Sequence, residues 1–312
     1  MSIDIVDART KVGAQLVGRE RELDLVLATV AAGRDLVLEG PPGTSKTTML
    51  TAITQEWGIP LLFVEGNADL TPAKLVGHHN PARVLREDYS ADNFVPGPLT
   101  EAMRQGGFLY IEEFNRAPDD TLNTLLTAMA DRRLTIPRVG TVQALPTFRI
   151  VASMNPYDNV GTTRLSSSVH DRLCRLAVDY QDDDAERGIV TLRTGLPSVA
   201  VGTLGGSLVA DAVAVTRATR VHPDVRQGSS VRGAIDCALV AVQLGALRDL
   251  GLATPVTRAA DDTYPRLILD AMFVALSGRI QLDEAAETTP ERVLTEIWED
   301  HFILNPSAAQ PG

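Results

Sequence analysis

Aromatic side chains are scarce in this chain: phenylalanine, tyrosine and tryptophan together make up 4% of 312 residues. Any core must then be filled mostly by aliphatic side chains. Cysteine is rarer still. Cys174 and Cys237 are the only two, which excludes a disulfide framework or a cysteine-built zinc site. Both lie in apolar periodic segments and are expected to be buried thiols. No stretch approaches the ~18 uninterrupted apolar residues that a membrane span requires. The start MSIDIVDARTKVGAQ lacks the charged-then-apolar order of a secretory signal, so a cytoplasmic location is expected. An excess of positive charge is missing as well. The formal net charge is −11, which argues against a dedicated nucleic-acid binder, because neutralising phosphates needs a basic face. There are no internal repeats.

What is present is the balance of an ordinary globular protein, 44% hydrophobic and 22% charged. The length allows a full α/β domain and a smaller second one. In the first 180 residues, short apolar runs alternate with helical patterns. RDLVLEG (34–40), LLFVEG (61–66), GFLYIEE (107–113), FRIVASMN (148–155) and RLCRLAV (172–178) read as five strands. TTMLTAITQEW (47–57) has helical spacing. Strands separated by helices imply crossovers and a parallel sheet with helices on both faces. Beyond about residue 181 the periodicity is helical throughout, with start signals at Asp182 and at Thr289-Pro290. The expected organisation is an α/β core over 1–181, an all-helical domain over 182–304 and a disordered tail over 305–312. The acidic run Asp182–Asp184 is read as a helix N-terminus favoured by the macrodipole, not as a metal cluster.

The segment GPPGTSKT (40–47) nearly spells the phosphate-binding pattern G-x-x-x-x-G-K-[ST], with Ser45 in place of the second glycine. It follows one predicted strand and opens a helix. In such a loop, backbone N–H groups and the helix N-terminus cradle phosphate oxygens. Lys46 reaches the β- and γ-phosphates, and the Thr47 hydroxyl binds Mg²⁺. A small residue at position 45 is tolerated if its backbone is right-handed helical. The third strand ends in Glu112 and Glu113. Carboxylates at that place hold a metal and polarise an attacking water, Glu112 being the candidate for the first role and Glu113 for the second. The fourth strand ends in Asn155-Pro156, where an amide can orient the water. Each feature has a plain structural alternative: a tight turn, a polar strand end, an Asn-Pro turn. Together they follow the order loop, acidic strand, polar strand end.

In these motifs the chain resembles the MoxR family of AAA+ ATPases, over about residues 12 to 250. The same small-residue replacement is common in that family's loop, so Ser45 looks like a family trait. FVPGPLTEAM (94–103), EEFNRAPDDTLNTLLTAMADRRLTI (112–136), SMNPYDNVGTTRLSSSVHDRL (153–173) and GSSVRGA (228–234) are similar to consecutive parts of the family pattern. The resemblance implies ATP bound with Mg²⁺ by Pro42, Gly43, Thr44, Ser45, Lys46, Thr47 and Thr48. Val17 and Gly18 would lie near adenine. Glu112 and Glu113 would form the Walker B pair and Asn155 sensor 1. Arg172 would be an arginine finger reaching a neighbouring subunit, with Arg164 as the rival, and Arg232 the sensor-2 arginine of a helical lid. The family pattern usually has Asp where Glu112 stands, which leaves open whether that carboxylate meets the metal directly. Base choice, ATP or GTP, is open too.

Residues 78–97 and the predicted hairpin LTIPRVGTVQALP (134–146) resemble the helix-2 insert and the pre-sensor-1 hairpin of this clade. His78 and His79 are expected in an exposed loop. The resemblance further implies a homo-oligomeric ring, most often a hexamer, that remodels or activates a protein client, often one with a von Willebrand factor A domain. The alternatives are a nucleic-acid motor or restriction-type NTPase on the same fold, or an assembly factor that binds nucleotide with little turnover.

Overall fold

The computed structural model describes residues 4–87, 89–155, 166–197, 202–259 and 263–304. The predicted tail over 305–312 and Arg164 lie outside the described residues. Contacts divide the chain into two compact units, Met1–Asp179 and Tyr180–Gly312.

The first unit is built on a parallel sheet of five strands. These are Leu36–Glu39 (β1), Leu61–Glu65 (β2), Phe108–Glu112 (β3), Arg149–Met154 (β4) and Cys174–Ala177 (β5). Their lateral order is β2-β3-β4-β1-β5. Each predicted strand is present. The unbroken apolar runs of the three inner strands, β1, β3 and β4, follow from burial on both faces. On one face Leu36, Leu38, Phe108, Tyr110, Val151 and Leu176 pack under the helices Ile5–Gly13 (α1), Glu20–Ala31 (α2) and Lys46–Trp57 (α3). On the other, Val37, Leu109, Ile111, Ile150 and Ala152 meet the helices Pro98–Gln105 and Asp119–Asp131. Each fully buried aliphatic side chain contributes about 1.5–3 kcal/mol. Helix α3 ends at Gly58, which is left-handed at φ 62° and donates to the carbonyls of Gln55 and Thr54. That conformation suits glycine and stops the helix.

At the N-terminal edge of the sheet lies a buried ionic group. Asp35 accepts from Arg132 (Nη2 at 2.7 Å) and from the amide of Ile150 at 2.8 Å. Burial raises its carboxyl pKa, opposed by the charge of Arg132. Arg149 spends its guanidinium on the carbonyls of Val30, Pro146 and Phe148, and burial lowers its pKa. Arg132 leads into an antiparallel hairpin, Arg133–Ile136 with Gly140–Gln143, as the sequence predicts. Residues 78–97 form a strand–helix–strand excursion: Gly77–His79 pairs antiparallel with Phe94–Pro96, and the helix Pro81–Glu87 lies between. His79 is therefore not in a loop. Its ring packs edge-on against Tyr89 and Phe94. Cys174 is exposed, against expectation. It is the first residue of β5, the edge strand, where only Leu176 of the four is buried.

The second unit contains the five expected helices: Asp183–Thr194, Leu204–Ala218, Val231–Leu247, Thr263–Leu276 and Pro290–Glu299. Asp182 caps the first, accepting from the Ala185 amide at 2.8 Å, as its acidic start predicts. Thr289 caps the last, with Pro290 at its first position. The unit is not purely helical. Val225–Gln227 pairs antiparallel with Gln281–Leu282. These pieces are too short to show a period of two. Within the apolar core, Asp211 is fully buried and accepts from Tyr264 Oη at 2.7 Å, lies 2.9 Å from His301 Nε2, and pairs with Arg258. Cys237 is buried, and burial pushes its thiol up to about 12. No helix among the described residues is long and apolar enough to cross a membrane.

Candidate functional site

The loop between β1 and α3 is held by close packing. A β-carbon on Gly40 would lie 1.9 Å from the Val178 carbonyl oxygen, so only glycine fits there. The Gly40 amide donates to the Met154 carbonyl at 3.0 Å, which ties the loop to the end of β4. Gly43 has φ 78°. Lys46 is buried, and its Nζ donates to the carbonyls of Gly40 (2.9 Å) and Pro41 (2.7 Å) and to Thr44 Oγ1 (3.2 Å). The cation is thus drawn into the loop at the first turn of α3.

Ser45 departs from expectation. Its φ of 64° and ψ of 17° are left-handed, not right-handed helical. The glycine of the usual pattern sits easily in that region, and a serine is strained there by about 1–2 kcal/mol. Glu113 shows the same feature, with φ 52° and ψ 42°. Both strained residues adjoin the chemistry the sequence assigns to this place.

The sheet order arranges the candidates laterally. β4 lies between β1 and β3, so Asn155, one residue past β4, stands between the loop and the carboxylates. All three lie at the C-terminal ends of parallel strands, where open α/β sheets bind ligands. Glu113 pairs with Arg116 Nη1 at 3.0 Å. The backbone of Gly66, after β2, supports this corner: its amide donates to the Glu112 carbonyl at 2.7 Å. Beside them is Tyr110, whose hydroxyl is 3.3 Å from Thr47 Oγ1, on the first turn of α3, and 3.0 Å from Ser153 Oγ. Burial raises the pKa of this phenol.

The structure therefore brings together Lys46, Thr47, Glu112, Glu113 and Asn155. Pro42, Thr44 and Thr48 lie on the same loop and turn. Arg172 is elsewhere. It is exposed, two residues before β5, and Cys174 is in register with Leu36 at the opposite end of β1 from the loop. Its Nη1 donates to the Ser168 carbonyl at 3.0 Å. Gly18 is left-handed at φ 62° and Val17 is half-buried. The next residue, Arg19, is buried and donates to Glu22 and to the Asp179 carbonyl. Arg232 is exposed on the first turn of Val231–Leu247 in the helical unit, behind the Ser230 cap. Arg220 supports that cap, donating to the Ser229 carbonyl at 2.7 Å while its guanidinium stacks on Tyr180. Sequence reasoning missed Tyr110 and Ser153, which read as core. The available signal was period two: Tyr110 and Glu112 share one face of β3.

A buried ammonium, a hydroxyl, two carboxylates and a glycine cradle at a helix N-terminus form a donor set that fits a magnesium nucleotide. The comparisons agree on the class. Residues 35–173 match the AAA domain of the dynein-related subfamily. It is similar to the gas vesicle ATPase GvpN of Ancylobacter aquaticus, 27% identical over 303 residues, covering 91% of this chain and 79% of that protein. It is also similar to the gas vesicle ATPase GvpN2 of Halobacterium salinarum, 28% identical over 204 residues, 60% of this chain and 59% of the other. The MoxR-type resemblance read from the motifs accords with these relatives. Among solved structures, a candidate ATPase from Cytophaga hutchinsonii superposes with a TM-score of 0.50 at 20% identity, covering 94% of this chain and 92% of that one. The Thermotoga maritima RuvB Holliday junction branch migration motor gives 0.52 at 17%, covering 86% and 72%. At such identities these two show the fold alone.

Proposed function

We propose that this protein binds ATP with Mg²⁺ and hydrolyses it as a homo-oligomeric ring, using the cycle to remodel or activate a protein partner. The observation that carries the reading is the joining of Lys46, Thr47 and the Glu112–Glu113 pair at the C-terminal edge of one sheet, with Asn155 between them. Bound Mg²⁺ neutralises developing charge on the phosphates. Thr47 and Glu112 are the residues that hold it. Lys46 binds the β- and γ-phosphates. Glu113 takes the proton of the attacking water, and Asn155 orients that water. Val17 and Gly18 lie along the base, and Arg232 acts from the helical lid.

The placement of Arg172 supports a ring. It stands at the sheet edge away from its own loop, so it serves a neighbour's γ-phosphate better than its own. Relatives described as gas vesicle ATPases support turnover. A client with a von Willebrand factor A domain follows from the MoxR resemblance. The net charge of −11 disfavours a nucleic-acid motor.

The test is ATP hydrolysis per chain as protein concentration rises, with Glu113→Gln and Arg172→Ala beside the wild type. Specific activity should climb with assembly. Each variant should lose about 10²-fold or more. Flat specific activity together with an active Arg172→Ala would sink the shared site, whereas an active Arg172→Ala whose activity still climbs with concentration would make Arg164 the next finger to test.

A further inference from the structure

The chain enters the helical unit at Tyr180 and is clamped there to a turn almost fifty residues further on. The Tyr180 hydroxyl donates to the Gly228 carbonyl at 3.3 Å. Arg220, just past the end of Leu204–Ala218, donates from Nε to the next carbonyl, that of Ser229, at 2.7 Å. Its guanidinium lies over the Tyr180 ring, 3.9 Å from the centroid, and its Nη2 forms an ion pair with Glu186 Oε1 at 2.8 Å. Glu186 is buried and meets Arg217 Nη1 at 3.2 Å with its other oxygen. Arg217 donates in turn to the Gln181 carbonyl at 2.9 Å.

These contacts need an arginine. A guanidinium is flat, stays charged and offers several N–H groups in fixed directions, so one side chain can stack, pair and donate at once. A lysine keeps the charge and loses the plane. The Arg220 side chain is only 11% exposed, so water and salt screen its pairing with Glu186 little. The turn is held by its backbone as well. A β-carbon on Gly228 would lie 2.6 Å from the Arg220 Cα, so the turn rests directly on the Arg220 backbone. The Ser229 amide donates to Thr219 Oγ1 at 2.9 Å. Ser230 then caps Val231–Leu247, accepting from the Arg232 amide. Arg232 is exposed and follows this clamp by two residues. Its side chain is long and jointed, so its reach depends on where the helix beneath it starts.

We propose that Arg220 is a positioning residue for Arg232. By tying the turn Gly228–Ser230 to Tyr180 and Glu186, it fixes the start of Val231–Leu247 and so the presentation of Arg232 to nucleotide. Arg220 does not touch the nucleotide itself. This rests on the reading above that Arg232 acts on bound nucleotide from the helical unit. The clamp joins the segment by which the chain enters the unit to the turn that carries Arg232, so the two move as one piece.

The experiment is a double-mutant cycle, read by equilibrium titration with a non-hydrolysable fluorescent ATP analogue in saturating Mg²⁺. Arg232→Ala should weaken binding by about tenfold or more. Arg220→Lys should weaken it by about three- to tenfold in the wild-type background. In the Arg232→Ala background it should change nothing, because the residue it positions is gone. Wild-type affinity in Arg220→Lys would overturn the proposal. So would an equal loss in both backgrounds, which marks a packing role. If Arg220→Lys does not fold, Tyr180→Leu enters the same cycle. It removes the stacking platform and the hydroxyl donor and leaves the Arg220–Glu186 pair, and the same two results overturn the assignment. Wild-type affinity in Arg232→Ala alone would instead refute the reading of Arg232 on which the proposal stands.

Discussion

Replacing Ser45 by glycine should stabilise the α/β unit. Ser45 is held at φ 64° and ψ 17°. For an L-residue that region costs about 1–2 kcal/mol, because the β-carbon crowds the following carbonyl oxygen. Glycine occupies it freely. Against this gain stands the greater freedom of glycine in the unfolded chain, about 0.4–1 kcal/mol. At mid-range, about 1.5 against about 0.7 kcal/mol, the difference leaves a net stabilisation of about 0.8 kcal/mol. In a unit of this size each kcal/mol moves the melting temperature by about 2–4 °C, so Ser45→Gly should raise the transition by about 1–4 °C. Calorimetry measures it directly. A urea midpoint that moves at constant slope gives the same answer. Ser45→Val, which puts a β-branched side chain into the same conformation, should shift the midpoint the other way. A Ser45→Gly variant that melts at or below the wild-type temperature would refute the reasoning, since contacts of the serine would then outweigh its backbone cost.

Further outcomes follow from the same geometry. Lys46→Ala removes a charged donor from the loop and should weaken nucleotide binding by about 10- to 100-fold in a fluorescence titration. Asp211→Ala leaves the buried Tyr264 hydroxyl without its acceptor and takes the carboxylate from the partly exposed Arg258. It should cost the helical unit about 3–5 kcal/mol in urea unfolding. With Ellman's reagent near neutral pH, one thiol, Cys174, should react in the native protein, and Cys237 only after denaturation. The Cys237 thiol titrates at about 12 when folded, against an ordinary 9.0. Below pH 9 it is protonated in both states and its contribution is complete. Stability of the helical unit should therefore fall as pH rises from about 9 towards 12, as pH-dependent unfolding would show.

The strands and helices were legible because their burial patterns are local. Strands covered on both faces read as unbroken apolar runs, and the second unit's helices repeat at their own period. The loop was legible because Gly40 and Gly43 precede a Lys-Thr pair after a strand. Glu112, Glu113 and Asn155 were legible as polar ends of apolar strands. Tyr110 was not, since a tyrosine inside FLYI looks like core until the sheet brings Thr47 and Ser153 to its hydroxyl. Nor was the exposure of Cys174, which depends on β5 being the sheet edge, or the pairing of Val225–Gln227 with Gln281–Leu282.

The sequence by itself determined which segments become strands and helices, and which polar residues stand at their ends. Tertiary structure alone decided which of those ends meet. Along the chain the order is loop, acids, amide. In the sheet β4 inserts between β1 and β3, so the amide comes to lie between the other two. Crossover packing chooses lateral neighbours by fit across the whole sheet, and a one-dimensional order does not contain that choice. The left-handed turn at Ser45 is likewise a property of the folded loop, against the preference of the serine itself.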